Sequence, residues 1–180
     1  MNRMKKIFFA VLLFFITACY SITVPTKLCR PTPRSLLKSV SIEPCSSSPC
    51  HLKKGETYKM TINFTSTSIT KELTTNLCGY VMSFICCPVK LPSNNACDTE
   101  KSGVTCPLNR NQDYSLTTEI FIDPSLPSWN NMQGKFNLVN ENGVDFMCFY
   151  LNFSIVGGQI VSRYDFLRYF DKAEENGIIL

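Results

Sequence analysis

Histidine is almost absent from this chain: His51 is the single copy among 180 residues, and charged residues make up only 18%. One imidazole leaves little material for histidine-ligated metals or histidine-based catalysis. His51 lies in the turn-like stretch Cys50-His51-Leu52-Lys53-Lys54-Gly55, which reads as surface. There is no nucleophile elbow, no Walker-type glycine loop and no dinucleotide fingerprint. Glu174 and Glu175 are adjacent on a predicted helix, so they point apart and do not form an acid/base pair. Serines and aspartates cluster in turns, where backbone bonding already accounts for them. No catalytic residue, metal site or cofactor is expected. No apolar run reaches the roughly 18 residues that a spanning helix needs, which excludes a polytopic membrane protein.

The N-terminus reads as a secretory signal. Arg3, Lys5 and Lys6 precede ten unbroken apolar residues, Ile7 to Ile16, and the small residues Ala18 and Ser21 follow. A membrane anchor of this length would be too short, and no basic stop follows it. Cleavage after Ser21 leaves 15 basic and 14 acidic residues, a charge of +1 instead of +4. Such a balance gives no dense basic footprint for nucleic acid. Ile16-Thr17-Ala18-Cys19 also fits a bacterial lipoprotein signal, but the glycosylation sequons favour a eukaryotic secretory route.

Cysteine, in contrast, is plentiful. Nine of the ten remain after cleavage, and in an exported domain that density reads as disulfides. Zinc would want close cysteine pairs at finger spacing, which are not present. Spacing alone does not fix connectivity. Cys45–Cys50 and Cys97–Cys106 are the cheapest loops to close, and Cys29 with Cys148 would then tie the first strand to the last. Cys78, Cys86 and Cys87 are left over. Adjacent strand residues face opposite sides, so Cys86 and Cys87 cannot both reach Cys78 unless the strand bulges. One of the three is therefore free for a disulfide-linked or receptor partner.

The mature chain alternates strand patterns with turn chemistry. In Thr57–Ser66, Tyr58, Met60, Ile62 and Phe64 share one face, and Lys59, Thr61, Asn63 and Thr65 the other. Further strands are predicted at Leu36–Glu43, Leu77–Ile85, Tyr114–Ile122, Gly134–Val139 and Asp145–Val156. Breaks fall at Lys54-Gly55, Pro92-Ser93-Asn94-Asn95, Asp123-Pro124 and Glu141-Asn142-Gly143. Six or seven short strands at this spacing argue for an all-β protein, an antiparallel sandwich. Asn63-Phe64-Thr65 and Asn152-Phe153-Ser154 are sequons on the polar faces of their strands, so Asn63 and Asn152 are candidate glycan carriers. After Gly157-Gly158, Ser162-Arg163-Tyr164-Asp165 resembles a capping box. Phe166, Tyr169, Phe170 and Ala173 then recur at helical spacing. The expected organisation is a signal at 1–21, one domain at 22–156 and a C-terminal extension at 157–180. That extension reads as a short helix packed on the sandwich, with a membrane-surface or partner-binding helix as the other readings.

From Cys29 through Pro44-Cys45-Ser46-Ser47-Ser48-Pro49-Cys50-His51-Leu52-Lys53-Lys54-Gly55 the sequence resembles the ML (lipid-recognition) domain family, and within it the Niemann–Pick type C2 sterol carriers. Phe64-Thr65-Ser66, Pro88-Val89-Lys90-Leu91-Pro92, Lys101-Ser102-Gly103-Val104-Thr105-Cys106-Pro107-Leu108, Tyr114-Ser115 and Cys148-Phe149 continue the likeness. The resemblance implies an immunoglobulin-like sandwich of two antiparallel sheets around an apolar inter-sheet cavity. It also implies the pairs Cys29–Cys148, Cys45–Cys50 and Cys97–Cys106. As lining it implies Val89, Leu91, Ile122, Leu126 and Phe136. Leu91 and Leu126 stand where sterol-binding members carry aromatic rings, and Phe136 replaces a tryptophan, so the implied lining is smaller and more aliphatic. Cys78, Cys86, Cys87 and about three extra residues before Pro88 depart from the family pattern.

The function so implied is a secreted or lysosomal carrier of a sterol or fatty-acid-like lipid. It would hand its cargo to membranes or a membrane lipid transporter, with no catalysis and no nucleic acid. The alternatives are a lipid-presenting accessory subunit of a receptor and, more remotely, a disulfide-rich protease inhibitor.

Overall fold

The computed structural model describes residues 21–30, 34–81 and 85–157. Ten strands and one short helix follow in order: β1 (Ile22–Thr23), β2 (Thr26–Leu28), β3 (Ser35–Glu43), β4 (Cys50–Lys53), β5 (Thr57–Ser66), β6 (Leu73–Val81), β7 (Ile85–Pro88), α1 (Thr99–Ser102), β8 (Gln112–Phe121), β9 (Trp129–Asn140) and β10 (Asp145–Val156).

They form two sheets. One runs β1-β3-β5-β8, and the other β2-β10-β9-β6-β7, with β4 added in parallel on β10. All other pairings are antiparallel. Alternation explains why these segments pair as they do. In β5 the residues Tyr58, Met60, Ile62 and Phe64 are buried, whereas Lys59 is exposed. In β10 the apolar phase Met147, Phe149, Leu151, Phe153 and Ile155 is buried throughout, and Asn152 opposite it is exposed. The two inner faces meet in one apolar layer, as a two-sheet sandwich requires. At one end Phe64 of the first sheet meets Phe146 of the second edge-on, with ring centroids 5.8 Å apart.

Sequence and structure differ most over residues 73–88. The single strand expected at Leu77–Ile85 is instead the end of β6 and the beginning of β7, which turns back and pairs with it antiparallel. β6 also starts earlier, because Leu73, Thr75 and Leu77 continue the buried phase. Short β1, β2 and β4 carry too few residues to display a period, and the expected list lacks them. The expected C-terminal helix and most of the signal segment lie outside the described residues.

Four disulfides staple the sandwich: Cys29–Cys148, Cys45–Cys50, Cys78–Cys86 and Cys97–Cys106. Three are the pairs the sequence resemblance implies. The fourth resolves the leftover set: Cys78 and Cys86 share the outer face of the β6–β7 pair. Cys87, on the opposite face, packs against the core as the free cysteine among the described residues. Among the described residues an intermolecular disulfide is thus left only to Cys87, and burial pushes its thiol up to about 11.

Candidate functional site

The inter-sheet layer carries the implied lining residues. Phe136, in the middle of β9, is fully buried and stacks on Phe149 of β10, centroids 5.1 Å apart. Leu77 of β6 lies beside it in register, and the Leu77 carbonyl accepts the Val89 backbone N–H at 2.8 Å. Val89 and Leu91 thereby continue the β7 edge along β6, Val89 partly buried and Leu91 buried. Ile122 leaves the end of β8. Its N–H donates to Glu56 O at 3.0 Å and its carbonyl accepts from Gly55 N at 2.6 Å, which holds its buried side chain at that end of the sandwich. Leu126, partly buried, sits in the following turn. There Asp123 Oδ1 accepts from Ser125 N at 2.7 Å, and Asp123 O accepts from Leu126 N at 3.1 Å. All five belong to the core cluster or pack on it.

One row toward that end, two glycines replace side chains. Gly134 of β9 and Gly79 of β6 are cross-strand partners, flanked by Leu151 and Cys87. A Cβ on Gly134 would lie 2.8 Å from Phe153 Cε1, and one on Gly79 would lie 3.2 Å from Met132 Sδ. The paired glycines make a shallow depression in the sheet, and the Phe153 ring fills it.

The opening into the sandwich edge is lateral. Residues 94–96 zip onto the edge of β6 through Thr75 N to Asn94 O (2.7 Å) and Ala96 N to Leu73 O (2.9 Å). The chain then crosses to the other sheet, where α1 packs beside β8, the last strand of its sheet. Beneath this crossing lies a half-open cavity of about 250 Å³. Its inner wall is Thr75, Ala96, Leu116 and Thr118, with Ser102 beside them and Glu100, Lys101 and Glu119 also lining it. None of the five implied lining residues contributes to it. The sequence does carry a signal for it: Thr118 and Thr75 occupy the inward phases of β8 and β6, polar residues at positions that alternation assigns to the core.

The candidate glycan positions differ. Asn152 is exposed on the outer face of β10, whereas Asn63 is half-buried and donates Nδ2 to Ser39 Oγ at 3.0 Å.

Comparison with known proteins follows the same lines. The ML domain profile matches residues 23–155. The NPC intracellular cholesterol transporter 2 of Bos taurus is 26% identical over 113 residues, covering 63% of this chain and 72% of that protein. Its Mus musculus counterpart is 31% identical over 93 residues, 52% of this chain and 60% of that one. Among solved structures, a Niemann-Pick type C2 protein from Japanese carpenter ant superposes with a TM-score of 0.66. It shares 16% identity and covers 73% of this chain and 99% of that chain. That last likeness is one of fold.

Proposed function

The chain belongs to the ML domain family, and from that premise we propose that it is a non-enzymatic carrier of a sterol or similar lipid. The cargo lies between the two sheets and passes to a membrane or a membrane protein. The setting is secretory or lysosomal. Two relatives bear the name of a cholesterol transporter, which supports the ligand class. Four disulfides support an oxidising compartment. No helix among the described residues is long and apolar enough to cross a membrane.

The observation that carries the reading is the apolar layer in which Val89, Leu91, Ile122, Leu126 and Phe136 are gathered. Withdrawing a lipid's apolar surface from water is favourable by about 25 cal/mol per Å², and no reacting group is needed for it. A near-neutral mature surface suits a protein that must leave the membrane again. The test uses mature protein from a eukaryotic secretory host, incubated with vesicles containing a fluorescent sterol. Wild type should acquire sterol, and Ile122→Asp or Leu126→Asp should abolish uptake, because either places an unpaired charge in apolar surroundings. Uptake by both variants at the wild-type level would remove this end of the sandwich from the site.

A further inference from the structure

We propose that the lateral cavity between β6, β8 and the 94–102 crossing is a polar-head alcove. It would receive the hydroxyl of a neutral amphiphile whose apolar body lies between the sheets. The inference rests on the carrier reading and deepens it, by choosing an alcohol such as a sterol over a fatty acid.

Size comes first. At about 250 Å³ the cavity falls below the roughly 300–1,000 Å³ of pockets that enclose a whole small molecule, so it admits one end of a lipid. Its floor is apolar and abuts the inter-sheet layer: Leu116 and Ala96 belong to the same buried cluster as Leu91 and Phe136.

Hydrogen-bonding chemistry comes second. Thr75 is 3% exposed and Thr118 is 9% exposed, one from each sheet, and both line the cavity. Neither hydroxyl has a hydrogen-bond partner among the described residues. Ser102 on the same wall is different, since its Oγ donates to Ala96 O at 2.7 Å and accepts from Val104 N at 3.1 Å. Ser102 therefore builds the wall, while the two threonines are left with donor and acceptor capacity. Both oxygens keep surface open to the cavity, since neither is among the fully buried unpartnered atoms, and a ligand hydroxyl that donates to one and accepts from the other takes the place of water there.

Charge comes third. Two carboxylates, Glu100 and Glu119, line the cavity together with one ammonium, and that ammonium, Lys101 Nζ, stands 3.6 Å from Asp98 Oδ2. The net field disfavours an incoming carboxylate and leaves an uncharged hydroxyl unaffected.

The experiment compares cholesterol, 5-cholestene (the same skeleton without the 3-hydroxyl) and oleate. They are offered to the mature wild-type protein and to a Thr75→Val, Thr118→Val double variant, which keeps shape and removes both hydroxyls. Wild type should bind cholesterol about tenfold more tightly than 5-cholestene, and oleate more weakly than cholesterol. The double variant should bind both sterols within about twofold of one another, with 5-cholestene affinity unchanged from wild type. If wild type shows no hydroxyl preference, or if the preference survives in the variant, the alcove is not the head site while the carrier reading stands. Oleate binding more tightly than cholesterol would likewise overturn the alcove. A wild-type protein that takes up none of the three would overturn the carrier reading and the alcove together. Retention of the four disulfides and of the wild-type melting curve by the variant separates lost recognition from lost folding.

Discussion

Two side chains show how far single positions reach. Gly134 leaves room that the Phe153 ring occupies, and a methyl there would lie 2.8 Å from Cε1. Phe153 is 9% exposed and held by neighbours, so it has little freedom to withdraw. Gly134→Ala should therefore destabilise the protein by about 1–3 kcal/mol, the usual range for overpacking. Phe153→Leu added to it should cost less than the two changes summed, as contacting residues couple. Thermal melts of the three variants check this, and strict additivity would show that the ring is not what meets the new methyl. Cys87 makes the second case. Burial raises its thiol from 9.0 to about 11, so the folded state prefers the neutral thiol. The sign follows: the unfolded chain releases this proton first, and stability declines as pH rises between about 9 and 11. Cys87→Ala should flatten that decline, and alkylation of Cys87 at pH 8 should be far slower in the folded protein than after unfolding. Equal rates would place the thiol in solvent.

At the scale of elements, legibility followed period length. β5 and β10 match their predicted bounds, since each has ten or more residues with one unbroken apolar phase. β9 reaches further than the predicted Gly134–Val139, to Trp129–Asn140, because its outer residues alternate less clearly. The β6–β7 turn was hidden, because Leu77 to Ile85 is apolar on both sides of it and Gly79 reads equally as a break or a bulge. Gly79 instead stays in the strand and gives room to Met132. α1 had no periodic signal, and the lateral cavity showed only as the polar Thr118 and Thr75 at inward positions of β8 and β6. The five implied lining residues came from family likeness, because a lipid wall and an ordinary core have the same composition. One hydroxyl joins elements that periodicity treats separately. Tyr58 of β5 accepts from Lys53 N of β4 at 2.7 Å and donates to Glu56 Oε2 at 2.9 Å. Tyr58→Phe should lower stability by about 1 kcal/mol without altering lipid uptake, as read by denaturant midpoint and sterol fluorescence. A loss of uptake would give that corner a functional role.

At the scale of the molecule, the two sheets stay together through a shared apolar layer, and the longest covalent tie lies within one of them. Cys29–Cys148 spans 119 residues and fastens the end of β2 to β10. In the chain-entropy account a loop of that length stabilises by about 4–5 kcal/mol. Replacing both cysteines by serine should produce a loss of that order in the denaturant midpoint, and a change below about 1 kcal/mol would mean that the sandwich holds without it. Glycans belong to the outside of this object, and exposed Asn152 is the position where one is expected. Peptide mapping before and after endoglycosidase treatment reports its occupancy, and an unmodified Asn152 from a secretory host would contradict it.

The central claim is that lipid occupies the space between the sheets. Native mass spectrometry of the mature secreted protein, repeated after solvent extraction, tests it most directly. The account predicts one sterol-sized adduct per chain that extraction removes and identifies. A protein that emerges empty, and that remains empty after exposure to sterol-containing vesicles, would contradict it.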